Sequence, residues 1–134
     1  MAASANIGDN HMLFEPVHGS APKYAGQDKV NPIAAISSVQ LMLDNLGVRN
    51  DDEDATICGE ILEAAIASHL SEGGATTYDL GGEAGTKEVG IAISERFETL
   101  LKEHYACLGR GASHYGQSII EAGRIVPVSW LCFS

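Results

Sequence analysis

The sequence predicts an α/β chain, rich in helix, with a few short strands. Three segments carry apolar residues at helical spacing, and two short runs have strand character. Loops bearing glycine and proline separate them.

Residues 1–10 are small and polar, and Gly8-Asp9-Asn10 is a turn signal. Met12-Leu13-Phe14 is a short apolar run that reads as a strand. It ends at Glu15-Pro16, because proline cannot donate to a ladder. Residues 15–31 form a long loop containing Gly19, Pro22 and Gly26.

A first helix is expected over 32–46. Asn31 suits the N-cap and Pro32 the first helical position. Ile33, Ile36, Val39, Gln40, Leu43 and Leu46 follow one face, and Gly47 is the expected stop. Residues 50–54 are an acidic turn whose spacing does not match a calcium loop. Asp54 is expected to cap a second helix over about 55–71. Its apolar face is Ile57, Ile61, Leu62, Ala65, Ile66 and Leu70.

Thr76-Thr77-Tyr78-Asp79-Leu80 has β-branched and aromatic character and reads as a second short strand. After the loop 81–85, Thr86 is expected to cap a third helix over 87–103. Val89, Ile93, Phe97, Leu100 and Leu101 form its inner face. Beyond residue 103 the pattern changes. The 109–116 stretch is loop-like, 118–125 suits a short helix, and 125–133 is strand-like, but no chemistry is legible in this tail.

Length and charge narrow the function. A chain of 134 residues fits one domain at most and buries only about two-thirds of its unfolded surface. With 18 acidic against 8 basic residues the net charge is −10, which argues against nucleic-acid and anionic-membrane partners. No apolar run approaches the roughly 18 residues of a membrane span. Cys58, Cys107 and Cys132 form no CxxC pair, and with no signal peptide this fits a reducing cytoplasm or, alternatively, a mitochondrial matrix.

The informative stretch is the run Ala5-Asn6-Ile7-Gly8-Asp9, then Leu13-Phe14-Glu15-Pro16-Val17-His18-Gly19-Ser20-Ala21-Pro22, then Ala25-Gly26 and Asn31-Pro32. It resembles the isocitrate and 3-isopropylmalate dehydrogenase family, ordered and almost without gaps over residues 5–46. A weaker likeness continues through Thr77–Leu80 and Thr86–Gly90 to about Lys102.

The resemblance implies that residues 1–103 are the C-terminal part of the large domain of that α/β fold, and that 104–134 are a divergent tail. It also implies an NADP- or NAD-dependent oxidation and decarboxylation of isocitrate to 2-oxoglutarate, in a homodimer. The loop equivalent to 18–31 would wrap the adenosine half of the cofactor. His18, Gly19, Ser20, Ala21, Pro22, Lys23, Tyr24, Asn31 and Tyr78 are the candidate cofactor-binding residues. Gly19, Ala21 and Pro22 allow close approach of backbone to ligand. His18 offers a flat ring, and Asn31 can meet an adenine edge while starting its helix.

Lys23-Tyr24 speaks to cofactor choice. An ammonium and a phenol can both donate to a 2′-phosphate, and hydrogen bonds to charged groups are worth roughly 1.5–3 kcal/mol. Tyr78 matches a second phosphate-contacting tyrosine, so NADP is favoured over NAD. Gly82 departs from the NADP pattern, standing where those enzymes place an arginine, and Asp79-Leu80-Gly81-Gly82 is closer to NAD-linked relatives. Glu15 is either support near the nicotinamide or a strand-end charge.

Catalysis in this family needs Mg²⁺ or Mn²⁺ on aspartates, arginines for the substrate carboxylates and a Lys/Tyr acid–base pair. In relatives these all lie upstream of the position matching Ala5. No metal ligand or catalytic residue is assigned here, and Arg49, Arg96, Arg110 and Arg124 are scattered. The chain is therefore expected to be a fragment, inactive alone. The alternative from another class is a remnant that binds a nucleotide or partner without catalysis. Isocitrate is the favoured substrate, because Lys23-Tyr24-Ala25-Gly26-Gln27-Asp28-Lys29-Val30-Asn31-Pro32 resembles bacterial-type NADP isocitrate dehydrogenases. 3-Isopropylmalate, homoisocitrate and tartrate are the alternatives.

Overall fold

The computed structural model describes residues 2–107. The elements expected over 118–125 and 125–133 lie outside the described residues.

The chain opens with an antiparallel hairpin of β1 (Ala3–Ile7) and β2 (Met12–Pro16). Ala5 faces Phe14 and Ile7 faces Met12 in its register. The turn closes with a bond from the Gly8 N–H to the His11 carbonyl, 3.0 Å. β1 is an element the sequence did not announce. Its residues Ala-Ser-Ala-Asn-Ile alternate apolar and polar, but two of the three apolar positions are alanines with little strand preference, and pairing with β2 is what extends them.

Three helices follow: α1 (Ile33–Asn50), α2 (Glu53–Ser71) and α3 (Thr86–Cys107). Each lies antiparallel to the next, as the cross-contacts Gly47–Thr56 and Tyr105–Asp54 show. Their apolar stripes meet in one core of Ile33, Ile36, Leu62, Ala65, Val89 and Ile93. Val39, Leu43, Ile66, Phe97 and Leu100 pack around it. Burial of this kind stabilises by roughly 1.5–3 kcal/mol per large aliphatic side chain. Leu70, expected in the core, is 41% exposed near the end of α2.

Gly47 does not stop α1. The helix continues through it to Asn50, and Asp51 closes it in the left-handed conformation. A Cβ at Gly47 would run into Thr56 at the start of α2, 2.7 Å from its backbone nitrogen. Gly47 therefore permits close packing of two helix ends. Asp52, rather than Asp54, caps α2, its carboxylate accepting from the Ala55 N–H at 3.1 Å.

Residues 76–80 are not a strand. Tyr78–Leu80 form a 3₁₀ turn in which the Leu80 N–H donates to the Thr77 carbonyl at 3.0 Å. The Gly81 and Gly82 N–H groups donate to the Tyr78 and Thr77 carbonyls at 3.1 Å, so the turn itself satisfies backbone that a ladder would have paired, and the Thr77 hydroxyl, donating to the Asp79 carboxylate at 2.5 Å, pins it. Gly81 completes the turn at φ 82°.

The cap of α3 also differs from expectation. Thr86 begins the helix, but its hydroxyl donates to the Val30 carbonyl at 2.5 Å. The capping carboxylate is that of Asp28, which accepts from the Lys87 N–H at 3.0 Å. α3 runs on to Cys107, past the helix end expected at residue 103.

Candidate functional site

The loop between β2 and α1 is folded by local bonds. The His18 N–H donates to the Pro16 carbonyl, and Pro22–Tyr24 form a single 3₁₀ turn entered through Ala21 at φ 45°. The Gln27 side-chain amide donates to the Lys23 carbonyl at 2.7 Å, bracing that turn. Asp28 then anchors the loop to α3, its carbonyl accepting from the Thr86 N–H at 3.2 Å.

Asn31 ties this loop to the second turn. Its side-chain oxygen accepts from the Ile33 N–H at 3.0 Å, opening α1. Its amide donates to the Asp79 carboxylate at 3.0 Å, across 48 positions of sequence. One side chain thus serves both the helix start and the junction of two loops.

The result is an open cleft of about 440 Å³, lined by His18, Gly19, Ala21, Tyr24, Val30, Asn31, Tyr78 and Asp79. Tyr24 and Tyr78 sit 5.9 Å apart between ring centroids, tilted by 43°. A side chain at Gly19 would meet nothing within 4 Å, so backbone is presented directly to whatever enters. The His18 ring lies 3.0 Å from the Gly19 carbonyl through Nδ1.

Six of the nine expected residues therefore share one cleft: His18, Gly19, Ala21, Tyr24, Asn31 and Tyr78. Ser20, Pro22 and Lys23 are exposed on the same loop but do not line it. Val30 and Asp79 line it unannounced. Asp79 had one usable signal, the Thr77-x-Asp79 spacing of a side chain–side chain turn. Lys29 was passed over as well, and its Nζ lies 5.1 Å from the Tyr78 ring centroid.

The electrostatics are mixed. Partial burial works against the Asp79 charge. Hydrogen bonds from the Thr77 hydroxyl and the Asn31 amide outweigh it and hold the carboxyl below its ordinary value. Tyr78 is shifted up, first by its hydrogen bond to Tyr24, then by burial and nearby charge. It stays a neutral phenol at physiological pH. The cleft therefore combines two aromatic faces, phenolic donors and one anchored carboxylate, a set suited to a purine and its ribose.

The sequence model of the isocitrate/isopropylmalate dehydrogenases matches residues 1–93. The chain belongs to this family. It is 40% identical over 105 residues to an isocitrate dehydrogenase [NADP] of Archaeoglobus fulgidus, covering 75% of this chain and 24% of that one. It is 42% identical over 98 residues to a 3-isopropylmalate dehydrogenase of Methanothermobacter thermautotrophicus, covering 73% and 27%.

Among solved structures, a β-decarboxylating dehydrogenase from Thermococcus kodakarensis in its apo form superposes with a TM-score of 0.64 at 42% identity. The match covers 75% of this chain and 27% of that one. The helix-rich α/β architecture is thus that of the dehydrogenase family. The chain spans about a quarter of the length of the relatives it matches.

No group of three or more His, Cys, Asp or Glu among the described residues could hold a metal ion. None of the described helices is long and apolar enough to cross a membrane. His69 and Arg49, outside the cleft, serve the fold. His69 is buried, and its Nε2 lies 2.8 Å from the Ala75 carbonyl, closing the loop after α2. Arg49 donates to the Gly8 and Asp9 carbonyls and ties the hairpin turn to α1. Glu15 is exposed on β2 opposite Ser4.

Proposed function

We propose that this chain supplies the adenosine-binding part of an NADP-dependent isocitrate dehydrogenase. The carrying observation is the cleft in which Tyr24 and Tyr78, from two separate loops, stand against His18, Gly19 and Asn31. The residues present fit an adenine nucleotide. Gly19 leaves room for backbone approach, the aromatic pair offers a stacking surface, and Asn31 fixes the two loops relative to each other.

In this reading the bound dinucleotide accepts a hydride at its nicotinamide when the substrate hydroxyl is oxidised. His18, Tyr24, Tyr78 and Asn31 hold its adenosine end, and Lys23 lies outside the cleft on the same loop for a 2′-phosphate. Mg²⁺ or Mn²⁺ and the isocitrate carboxylates belong to other parts of a complete enzyme, which we propose to be a homodimer. Isocitrate is preferred because residues 23–32 resemble NADP isocitrate dehydrogenases, and the Archaeoglobus relative carries that name. The competing reading, 3-isopropylmalate with NAD, draws support from Asp79 in the cleft, whose carboxylate can accept from a free ribose hydroxyl.

Titration of the 134-residue chain with NADP and NAD by calorimetry separates these. Saturable binding with NADP preferred supports the proposal. Preference for NAD favours the competing reading, and no saturation at millimolar dinucleotide removes both. Lys23→Asp is expected to weaken NADP about tenfold or more while leaving NAD within a few-fold, since it replaces a phosphate donor with a repelling charge. We also expect no isocitrate oxidation by this chain with NADP and Mg²⁺ or Mn²⁺. Measurable turnover in a spectrophotometric NADPH assay would overturn that expectation.

A further inference from the structure

The cleft has a charge problem if a 2′-phosphorylated nucleotide enters it. None of its lining residues is a lysine or arginine, and Asp79 contributes a carboxylate held in its charged form. A phosphate monoester is close to a dianion at neutral pH. Residue 82 offers no help, because a Cβ on Gly82 would press into Thr76, 2.6 Å from its carbonyl carbon.

Lys29 is a cation whose position is defined against a wall of the cleft. Its Nζ stands 5.1 Å from the centroid of the Tyr78 ring, itself a wall of the cleft. Its backbone is clamped on both sides. Asp28 before it accepts from the Thr86 and Lys87 N–H groups, and Val30 after it accepts from the Thr86 hydroxyl. Lys23, by contrast, sits in an exposed turn braced only through its carbonyl. A cation held in place over an aromatic face loses less freedom on meeting an anion than a free surface lysine.

We propose that Lys29 is a specificity-determining residue for 2′-phosphorylated adenosine at this cleft, placed there by the Tyr78 ring and the clamp on α3. The proposal rests on the adenosine-cleft reading above and adds a residue to it. The Lys29 ammonium offsets Asp79 and makes the Tyr24–Tyr78 side of the cleft acceptable to a phosphate.

The test is equilibrium binding of 2′,5′-adenosine bisphosphate and 5′-AMP to the 134-residue chain, its Lys29→Gln variant and its Lys29→Arg variant. Lys29→Gln should lose about tenfold or more in affinity for the bisphosphate while 5′-AMP changes less than about twofold. Lys29→Arg, which keeps the charge and the ring contact, should retain the preference. Matching circular dichroism of all three proteins guards against misfolding. An unchanged ratio of the two affinities in Lys29→Gln, or an equal loss for both ligands, overturns the role of Lys29. Failure of the unmodified chain to bind either nucleotide overturns the cleft reading itself, and this role with it.

Discussion

Asp44 shows how a single carboxylate can be carried at a cost within an otherwise favourable helix pair. It sits on α1 facing Gly59 of α2, where any side chain on the glycine would collide with it. Burial, with the charges of Glu63 and Glu60 behind it, pushes its carboxyl above the ordinary value. The Gln40 amide donates to it at 2.5 Å, which satisfies but does not neutralise it. A raised folded-state pKa means that the native state binds the proton more tightly than the unfolded one. Its stabilising contribution is fully present below the ordinary Asp value of about 3.9 and is lost as pH rises through the folded value. Asp44→Asn keeps an acceptor for Gln40 and removes the charge. It should therefore raise the thermal midpoint at pH 7 by a degree or more, and the gain should fade in scans taken at acid pH. A lower midpoint at pH 7 would contradict this. Asp79 responds in the opposite sense. Its pKa is lowered, so its contribution is present at neutral pH and is lost as pH falls through the folded value.

Among the elements, α3 depends most on a residue remote from it. Asp28 lies at φ 50°, a left-handed conformation in which aspartate and asparagine are tolerated better than most residues. There its carboxylate reaches the Lys87 N–H. Asp28→Ala loses both the cap and the conformational tolerance and should destabilise by about 1–2 kcal/mol. Asp28→Asn keeps the acceptor and the backbone preference and should stay within about 0.5 kcal/mol of the parent. Urea unfolding followed by circular dichroism decides it, and equal losses for the two variants would exclude capping as the cause. This contact also explains why the sequence could be read only so far. Ile33–Leu43, Ile61–Ile66 and Val89–Leu100 repeat at helical spacing, so three helices and the core were legible from local pattern. The Asp28 cap and the Asn31–Asp79 bond link residues dozens of positions apart, and no local pattern encodes them. β1 was hidden because strand pairing supplies what its composition lacks. The 76–80 run misled because β-branched and aromatic residues also suit a tight turn when Asp79 bonds to Thr77. In the loop, the motif named six residues that share the cleft, but it could not say that Ser20, Pro22 and Lys23 lie outside the lining, because the turn there is entered through Ala21 in a left-handed backbone that no local pattern announces.

At the scale of the whole molecule, the helices are better provided for than the sheet. Each helix finds a neighbour for its apolar stripe, whereas among the described residues β1 and β2 pair only with each other. A hairpin of two strands is marginal unless a face is covered, and α1 covers one. On the other face, Leu13 and Val17 are 57% and 60% exposed, on a hairpin whose outer edges meet no further strand among the described residues. Such a surface favours pairing with another copy. The net charge of −10 opposes that pairing at low ionic strength. The two effects separate experimentally, because salt screens charge over about 10 Å at 0.1 M but leaves apolar contact intact. Sedimentation velocity of this chain should show association that grows with protein concentration and with added salt. Leu13→Lys, which leaves the α1-facing side of the hairpin untouched, should shift the distribution toward monomer by several-fold in dissociation constant. A chain that stays monomeric from micromolar to millimolar concentration in high salt would show that this hairpin face is not sticky enough to matter. Association unaffected by Leu13→Lys would place the contact elsewhere on the molecule.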